Sequence, residues 1–322
     1  HLCFNSLPLR VVLVVNVVVV VVNHPIKQQA TTTTNHQTTH THQHKPDIIT
    51  SSQIMSVTAA IETYFKTNGD KRVADLRFMD NPWEVLFISA FYVYFCYDLG
   101  PNRLMKNRKP FDLVWTVRAF NTFILSLNVW LLYRHFTLLN WGYDSLGCSP
   151  VSEDDRSPKA LEHINICHIF LYSRILELID TFWICLRKKN RQITFLHVFH
   201  HSFVLLMTWS YIKFAPGGAT AMFPIVNGMV HTIMYLYYIL STFDNMKPYL
   251  WWKKYVTTIQ LVQFIILGVH FAVAAATPNC GYPRALSLSG VAIACLFFAL
   301  FMSFYRETYK QSQKDLRIKQ AK

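Results

Sequence analysis

The sequence predicts an all-α, polytopic membrane protein with seven transmembrane helices. Hydrophobic residues make up 52% and aromatic residues 15% of its 322 residues, a composition that favours a membrane protein over a soluble one. Separate apolar stretches approach the length of about 20 residues that a helix needs to cross a hydrocarbon core of about 30 Å. The formal charge is +13, but the basic residues lie in short connections between apolar stretches. This distribution favours anionic lipid or a phosphorylated substrate as partner and argues against nucleic acid.

Residues 1–54 differ in composition from the rest of the chain. A run of mostly valine at 11–22 is followed by a Thr/Gln/His/Asn tract at 27–45. The valine run is too short and too rich in β-branched residues for a typical spanning helix, and the tract has low complexity. We therefore expect residues 1–54 to be a disordered or artefactual leader, with Met55 as the natural start. A lumenal N-terminal segment at 55–80 would follow.

The spans are expected to form one helical domain at 81–309, followed by a basic cytosolic tail at 310–322. In chain order, the predicted spans cover residues 83–99, 113–133, 164–186, 193–212, 219–243, 255–276 and 285–305.

The distribution of charge between the spans predicts their orientation. Lysine and arginine are concentrated after the first, third and fifth spans and in the tail, whereas the connection after the second span is acidic. The positive-inside rule then places the N-terminus in the lumen and the C-terminus in the cytosol. Cys148 and Cys280 fall in two lumenal connections, on the oxidising side, so we expect a disulfide between them. Two free thiols are the alternative.

Polar side chains recur on one face of four predicted spans. An ionisable group inside a span costs several kcal/mol, and lipid offers no hydrogen-bond partner, so these faces should meet inside the bundle. Their positions place the resulting cluster in the cytosolic half of the membrane. The four sets are Arg174, Glu177, Asp180 and Thr181; His197, His200 and His201; Asn227, His231, Met234, Tyr235 and Tyr238; and Thr257, Gln260 and Gln263.

These same residues resemble the motifs of a known family. Residues 174–181 (RILELIDT) resemble the KxxExxDT motif of the very-long-chain fatty acid elongases, and residues 197–201 (HVFHH) match its HxxHH box. Residues 227–235 match NxxxHxxMY, and residues 257–263 match TxxQxxQ. The resemblance extends over about residues 55–310. Arg174 stands where the motif has lysine, which keeps the charge but changes the geometry of the donors.

The resemblance implies an enzyme of the endoplasmic reticulum membrane that lengthens fatty acyl chains by two carbons. Members of this family are 3-ketoacyl-CoA synthases, which condense an acyl-CoA with malonyl-CoA and release carbon dioxide and CoA. The helices are then expected to enclose an acyl-CoA tunnel. We expect no bound cofactor or metal, and the reductases and dehydratase of the elongation cycle as partners. A homo-oligomer is also possible.

By the same resemblance, His200 is the expected nucleophile and His231 its facing partner. His197 and His201 would orient the box. Glu177 and Asp180 would fix the tautomers of the histidines or stabilise charge. The expected hydrogen-bond donors to substrate carbonyl or enolate oxygens are Asn227, Gln260 and Gln263. Other candidate substrate contacts are Arg174, Thr181 and Tyr235. The candidate partners of the CoA phosphates, for which topology-setting charge is the alternative, are Arg187, Lys188, Lys189, Lys253, Lys254 and Lys310.

Two other classes of protein fit parts of the pattern. A membrane di-iron desaturase or hydroxylase also uses histidine boxes, but it needs about eight nitrogen ligands, and this sequence has a single box. A receptor or transporter would use intramembrane charges to line a path. The polar faces here are concentrated in one half of the membrane, and no internal repeat is evident.

Overall fold

A computed structural model describes the backbone of residues 51–310 and the side chains of residues 57–309. Most of the expected leader, the tail beyond residue 310 and the side chain of Lys310 lie outside these ranges. Within them every regular element is helical, which confirms the all-α prediction. The α-helices are α1 (Ser51–Asn68), α2 (Trp83–Tyr94), α3 (Val114–Leu138), α4 (Pro158–Glu177), α5 (Ile179–Leu186), α6 (Phe195–Phe214), α7 (Met222–Leu240), α8 (Lys253–Ala276) and α9 (Arg284–Tyr305).

The third predicted span is two helices, so the expectation of one continuous helix there is wrong. α4 ends at Glu177, and α5 begins at Ile179. Around the intervening Leu178 the backbone tightens: its N–H donates to the Ile175 carbonyl at 3.2 Å, and the Thr181 N–H donates to the Leu178 carbonyl at 3.2 Å. These bonds span three residues, as in a 3-10 turn. The polar set at 174–181 is therefore divided between two helices.

The first predicted span also changes its helix type. α2 ends at Tyr94 and continues directly into a π-helix, Phe95–Leu104, which contains Pro101. Proline has no N–H to donate to the preceding turn, so it interrupts the hydrogen bonds of an α-helix. Helices commonly depart from regular α geometry at such positions. At the N-terminal side, α1 begins at Ser51 and so crosses the boundary expected at residues 54 and 55.

The segment before α2 is attached to the C-terminal end of α6. The backbone N–H of Asp70 donates to the Lys213 carbonyl at 2.8 Å, and the Lys213 ammonium donates to the Met79 carbonyl at 2.6 Å. The Asp70 carboxylate pairs with Arg72 at 2.6 Å, and both side chains are buried. The ring of Phe65 packs edge-on against Trp209, with centroids 5.2 Å apart. These contacts fix the N-terminal segment on the bundle.

Six helices contact one another in a closed circuit. Going round it, α8 packs on α9, α9 on α6, α6 on α4, α4 on α3, α3 on α7, and α7 on α8 again. α2 packs on α6 from outside this circuit. α6 is buried along nearly its whole length, because it has neighbours on several sides. Polar faces turned toward the centre of such a circuit are shielded from lipid.

Three described helical segments are long and apolar enough to cross a membrane: Gly218–Leu240, Lys253–Ala276 and Arg284–Tyr309. The chain therefore has the helices of a membrane protein, while the count of seven spans and the tunnel stay predictions. α4 and α6 carry much of the polar cluster, including Arg174, Glu177 and the histidine box. Such side chains lower the mean hydropathy of a helix even when they face inward.

Cys148 and Cys280 are joined in a disulfide, with Cα atoms 5.5 Å apart. It connects the loop after α3 with the loop between α8 and α9. The Val151 N–H donates to the Gly281 carbonyl at 3.2 Å beside it. Gly281 has φ +72°, and a Cβ there would lie 2.8 Å from the Cβ of Pro150, so no larger residue fits this turn.

We expect Cys148→Ser and Cys280→Ser each to lower the free energy of unfolding by about 2–5 kcal/mol, because the bridge closes a long loop. Thermal unfolding of purified protein in detergent measures the effect. Cys295→Ser is the matched control, since Cys295 is a free, exposed cysteine. Equal unfolding temperatures for all three variants and the unchanged chain would contradict the bridge, as would identical mobility on reducing and non-reducing gels.

Candidate active site

A buried ion pair lies at the C-terminal end of α4. Arg174 and Glu177 are 3% and 1% exposed, and Nη2 of Arg174 lies 2.7 Å from Oε1 of Glu177. Removing two charges from water costs several kcal/mol per ion, so a buried pair persists only where further hydrogen bonds satisfy both groups. The same Oε1 atom lies 3.0 Å from Nδ1 of His231, on α7. One carboxylate therefore connects Arg174 with His231.

The guanidinium of Arg174 reaches three helices. Nη1 donates to Oδ1 of Asn227, on α7, at 2.8 Å. Nη2 donates to Oδ1 of Asn128, on α3, at 3.3 Å, and also to Oγ of Ser173 at 3.2 Å. Such a fork of several fixed donors is specific to arginine. The cluster thus holds α3, α4 and α7 in one arrangement.

Asn128 is a site residue that the sequence analysis missed. Asn121 and Asn128 are both buried in α3, and their separation of seven residues places them on one face, two turns apart. Two asparagines at this spacing inside an apolar stretch could have indicated from the sequence that this face of α3 contacts a polar site. Ser173 had no comparable signal, since serine is common in helices of any environment.

His231 carries its proton on Nδ1. A carboxylate only accepts hydrogen bonds, so the 3.0 Å contact with Glu177 assigns Nδ1 as the donor. Nη1 of Arg174 lies 3.3 Å from the same nitrogen, but both groups are donors there, so we regard this as close packing. The neutral ring then keeps the lone pair on Nε2. Nη1 of Arg174 lies 3.5 Å from that nitrogen, so Nε2 can accept a hydrogen bond from the guanidinium.

Asp180 and Thr181 join the same region from α5, beyond the break at Leu178. The Tyr235 hydroxyl donates to Oδ2 of Asp180 at 2.5 Å. Oγ1 of Thr181 lies 2.8 Å from Nε2 of His197 and 2.9 Å from the Tyr92 hydroxyl. α5 therefore contacts both the histidine box and α7. Tyr92, on α2, was not expected from the sequence.

The histidine box occupies the first two turns of α6. The side chain of Thr194 caps this helix by accepting a hydrogen bond from the His197 N–H at 3.2 Å. The rings of His197 and His201 lie 4.6 Å apart, and those of His200 and His201 lie 5.4 Å apart. Each box histidine is half-buried. They thus keep accessible surface although their helix is otherwise buried.

His200 lies between aromatic rings and the charged cluster. Its ring centroid is 5.1 Å from that of Phe297 and 5.5 Å from that of Phe301, both on α9. Nε2 of His197, one turn before His200, lies 2.8 Å from Oγ1 of Thr181, one turn after Glu177. His200 therefore lies in the neighbourhood of the charged cluster, with an apolar wall beside it.

The polar residues of α8 lie next to this neighbourhood. The Gln260 amide donates to Sδ of Met234 at 3.6 Å. Thr257 and Gln263 are buried, and Oε1 of Gln263 has no hydrogen-bond partner among the described residues. A buried amide oxygen without a partner is costly, so Gln263 has capacity for a bound molecule with a donor.

Basic side chains gather at the loop after α5. Partial burial, followed by the nearby positive charges of Arg187 and Lys247, lowers the pKa of Lys189. Lys188 adopts φ +52°, and its ammonium donates to the Lys106 carbonyl at 3.4 Å. Lys253 and Lys254 are exposed at the start of α8. Cations held close together repel one another, and a bound anion relieves this repulsion. This loop is therefore a favourable place for an anion to bind.

The fold and the buried cluster define a helical membrane protein with a polar interior that contains histidines. Residues 77–316 match the model of the ELO, GNS1/SUR4 family. Very long chain fatty acid elongase 7 of Rattus norvegicus is 35% identical over 265 residues, which cover 82% of this chain and 94% of the relative. Very long chain fatty acid elongase 1 of Homo sapiens is 37% identical over 250 residues, with coverage of 77% and 88%. The chain belongs to the very long chain fatty acid elongase family.

Replacing Glu177 by glutamine should lower the free energy of unfolding by about 3–5 kcal/mol, because it leaves the buried Arg174 charge unpaired. Thermal unfolding in detergent measures this loss. The control is Asp244→Asn, which removes the carboxylate of an exposed pair with Lys247 at the same spacing of three residues. That variant should unfold at the unchanged temperature, since exposed pairs contribute little. A Glu177→Gln protein as stable as the control would mean that the buried pair is not required.

Proposed function

We propose that this chain catalyses the first step of very-long-chain fatty acid elongation, as a 3-oxoacyl-CoA synthase. It would condense a long-chain acyl-CoA with malonyl-CoA and release a 3-ketoacyl-CoA, carbon dioxide and CoA. The main support is the buried cluster of Arg174, Glu177 and His231 on helices of a closed circuit, with the histidine box in contact with the following Thr181. Family membership supports the reaction class.

In the first half-reaction His200 acts as the nucleophile. A neutral imidazole nitrogen forms a bond to the thioester carbon, and the carbon–sulfur bond breaks. The ring gives up its remaining N–H proton, which the departing CoA thiolate takes up. The acyl-imidazole formed is itself reactive, so the acyl group can be passed on.

In the second half-reaction malonyl-CoA loses carbon dioxide. The electron pair of the broken carbon–carbon bond becomes an enolate, which attacks the acyl carbon while the bond to His200 breaks. The imidazole ring then regains a proton from solvent. We assign to His231 the acceptance and return of protons through the lone pair on Nε2, and to His197 and His201 the orientation of the box.

Developing negative charge on the enolate oxygen needs fixed donors. Oδ1 of Asn227 accepts from Arg174, which leaves its NH2 group as a donor. The atom of Gln263 without a partner among the described residues is Oε1, an acceptor, so Gln263 can take a hydrogen bond from a substrate N–H or O–H, whereas Gln260 on the same helix carries a donor amide group. These amides, with Arg174, Thr181 and Tyr235 nearby, are the proposed polar contacts of the substrates. Asp180 and Glu177 hold the orientation of Tyr235 and His231.

The acyl chain needs an apolar enclosure beyond the histidines. Phe297 and Phe301 border His200, and α6 and α9, which carry these residues, belong to the circuit of six helices. We infer that an acyl tunnel runs inside the circuit, and that its mouth lies among Arg187, Lys188, Lys189, Lys253 and Lys254, which would contact the CoA phosphates. Lys310 belongs to this expected set by sequence.

The proposed setting is the endoplasmic reticulum membrane, with seven spans and a cytosolic C-terminus. In this orientation the mouth faces the cytosol, and the Cys148–Cys280 bridge lies in the lumen. The proposal requires no bound redox cofactor, since condensation involves no net reduction. Reduction and dehydration of the product would fall to the partner enzymes of the cycle.

His200→Ala should lower malonyl-CoA incorporation by at least about a thousandfold, because nucleophile and base act as a unit. The assay measures radiolabel transfer from malonyl-CoA to lipid by membranes that contain the variant. Gel filtration and thermal unfolding verify that the protein folds.

The matched control is His168→Gln, on α4. Nε2 of His168 contacts the Arg77 carbonyl at 2.8 Å, away from the cluster, so this variant should keep its activity. Incorporation by folded His200→Ala at the level of the control would remove His200 from the reaction. No incorporation by the unchanged chain with any acyl-CoA would reject the proposed function itself.

A further inference from the structure

A cluster of potential metal ligands lies outside the proposed active site. His135, His163 and Cys167 each place one donor atom within 4.8 Å of the others, and all three side chains are buried. His135 is near the C-terminal end of α3, and the other two lie one turn apart near the N-terminal end of α4. The antiparallel packing of α3 against α4 creates this cluster.

Two ring nitrogens in this cluster have no hydrogen-bond partner within the part of the chain that the structure describes. Nδ1 of His135 donates to the Leu131 carbonyl at 2.8 Å, so the lone pair of the neutral ring lies on Nε2. Nε2 of His135 and Nε2 of His163 are both buried without a partner among the described residues. Orphaned buried polar atoms are uncommon and costly in native proteins. Two of them beside a thiol point to a missing ligand.

We propose that His135, His163 and Cys167 bind a zinc ion. Imidazole nitrogen and thiolate sulfur are the preferred ligands of Zn²⁺, and the hydrogen bond from His135 to a backbone carbonyl is the usual support of a ligating histidine. Binding replaces the thiol proton of Cys167 by the metal, so one proton is released per zinc ion. Three protein ligands leave a fourth position for water.

The donor spacing needs a modest contraction. Zinc–ligand bonds of about 2.0–2.3 Å in tetrahedral geometry place the donors roughly 3.3–3.6 Å apart. From their upper separation of 4.8 Å the donors must therefore approach by about 1.2–1.5 Å. Cys167 borders a small cavity, also lined by Thr208 and Gly217.

The zinc site is separate from the histidine box. His163 and Arg174 are eleven residues apart on α4, which corresponds to about 16 Å along the helix axis. In the proposed orientation the site lies at the lumenal ends of α3 and α4. The adjacent residues Arg134 and Glu162 form an exposed ion pair between the same two helices. Zinc would join these helices on the buried side, and this role is independent of the elongase reaction.

The test measures zinc bound to the full chain, purified in detergent without a polyhistidine tag. The protein is treated with a chelator, reloaded with zinc, gel-filtered and analysed by mass spectrometry for metal content. The ligand variants are His135→Gln, His163→Gln and Cys167→Ser. The matched controls are His168→Gln, which alters a histidine of α4 outside the cluster, and Cys295→Ser.

We expect each ligand variant to bind zinc at least about tenfold more weakly than the unchanged chain, and the controls to bind it equally well. Loading with Co²⁺ should give a thiolate-to-cobalt charge-transfer band that Cys167→Ser abolishes. Equal zinc in all variants would place the ion elsewhere, such as on the histidines at 36–44, and would overturn the proposal. Absence of zinc from the unchanged chain would overturn it too.

If a ligand variant fails to fold, the site can still be tested on the unchanged chain. X-ray absorption spectroscopy of zinc in the unchanged chain reports its ligands directly. One sulfur and two imidazoles around the ion would support the site, whereas a shell of nitrogen and oxygen alone would contradict it.

Discussion

The carboxylate of Glu177 is the group on which the polar interior depends. It neutralises Arg174 and orients His231 with one oxygen, and through Arg174 it also fixes Asn128 and Asn227. A buried guanidinium without this partner would cost several kcal/mol. Because the charges satisfy one another, three helices can present polar groups to the interior of a bundle whose outer surface is apolar. Such an arrangement is expensive for stability alone, and it is typical of functional sites.

The placement of these groups depends on a local departure from regular helix. A continuous helix through Leu178 would keep Asp180 and Thr181 on the same helix as Arg174 and Glu177. The break instead begins a new helix, α5, from which Asp180 reaches Tyr235 and Thr181 reaches both His197 and Tyr92. One short turn thus connects the histidine box with α2 and α7. The arginine at position 174 suits this network, since a lysine ammonium has no fork with which to reach several acceptors at fixed angles.

Much of this arrangement was predictable from the sequence. The remainder could not be predicted, for physical reasons. The helical bounds of α7, α8 and α9 follow from long apolar runs, and the sets that contain His200 and His231 follow from helical periodicity. The break at Leu178 could not be predicted, because no glycine or proline stands there. The partners Asn128 and Tyr92 depend on which helices are neighbours, which is a long-range property. For the same reason the cluster of His135, His163 and Cys167 was invisible: its members become adjacent only when α3 packs on α4.

In the proposed mechanism the imidazole of His200 carries the acyl group. Incubating the purified chain with a long-chain acyl-CoA in the absence of malonyl-CoA, digesting it and locating the acyl group by mass spectrometry tests this step most directly. We expect a labile adduct on His200, which disappears when malonyl-CoA is added. An adduct on a thiol, such as Cys185 or Cys96, or an adduct that malonyl-CoA does not discharge, would contradict the mechanism.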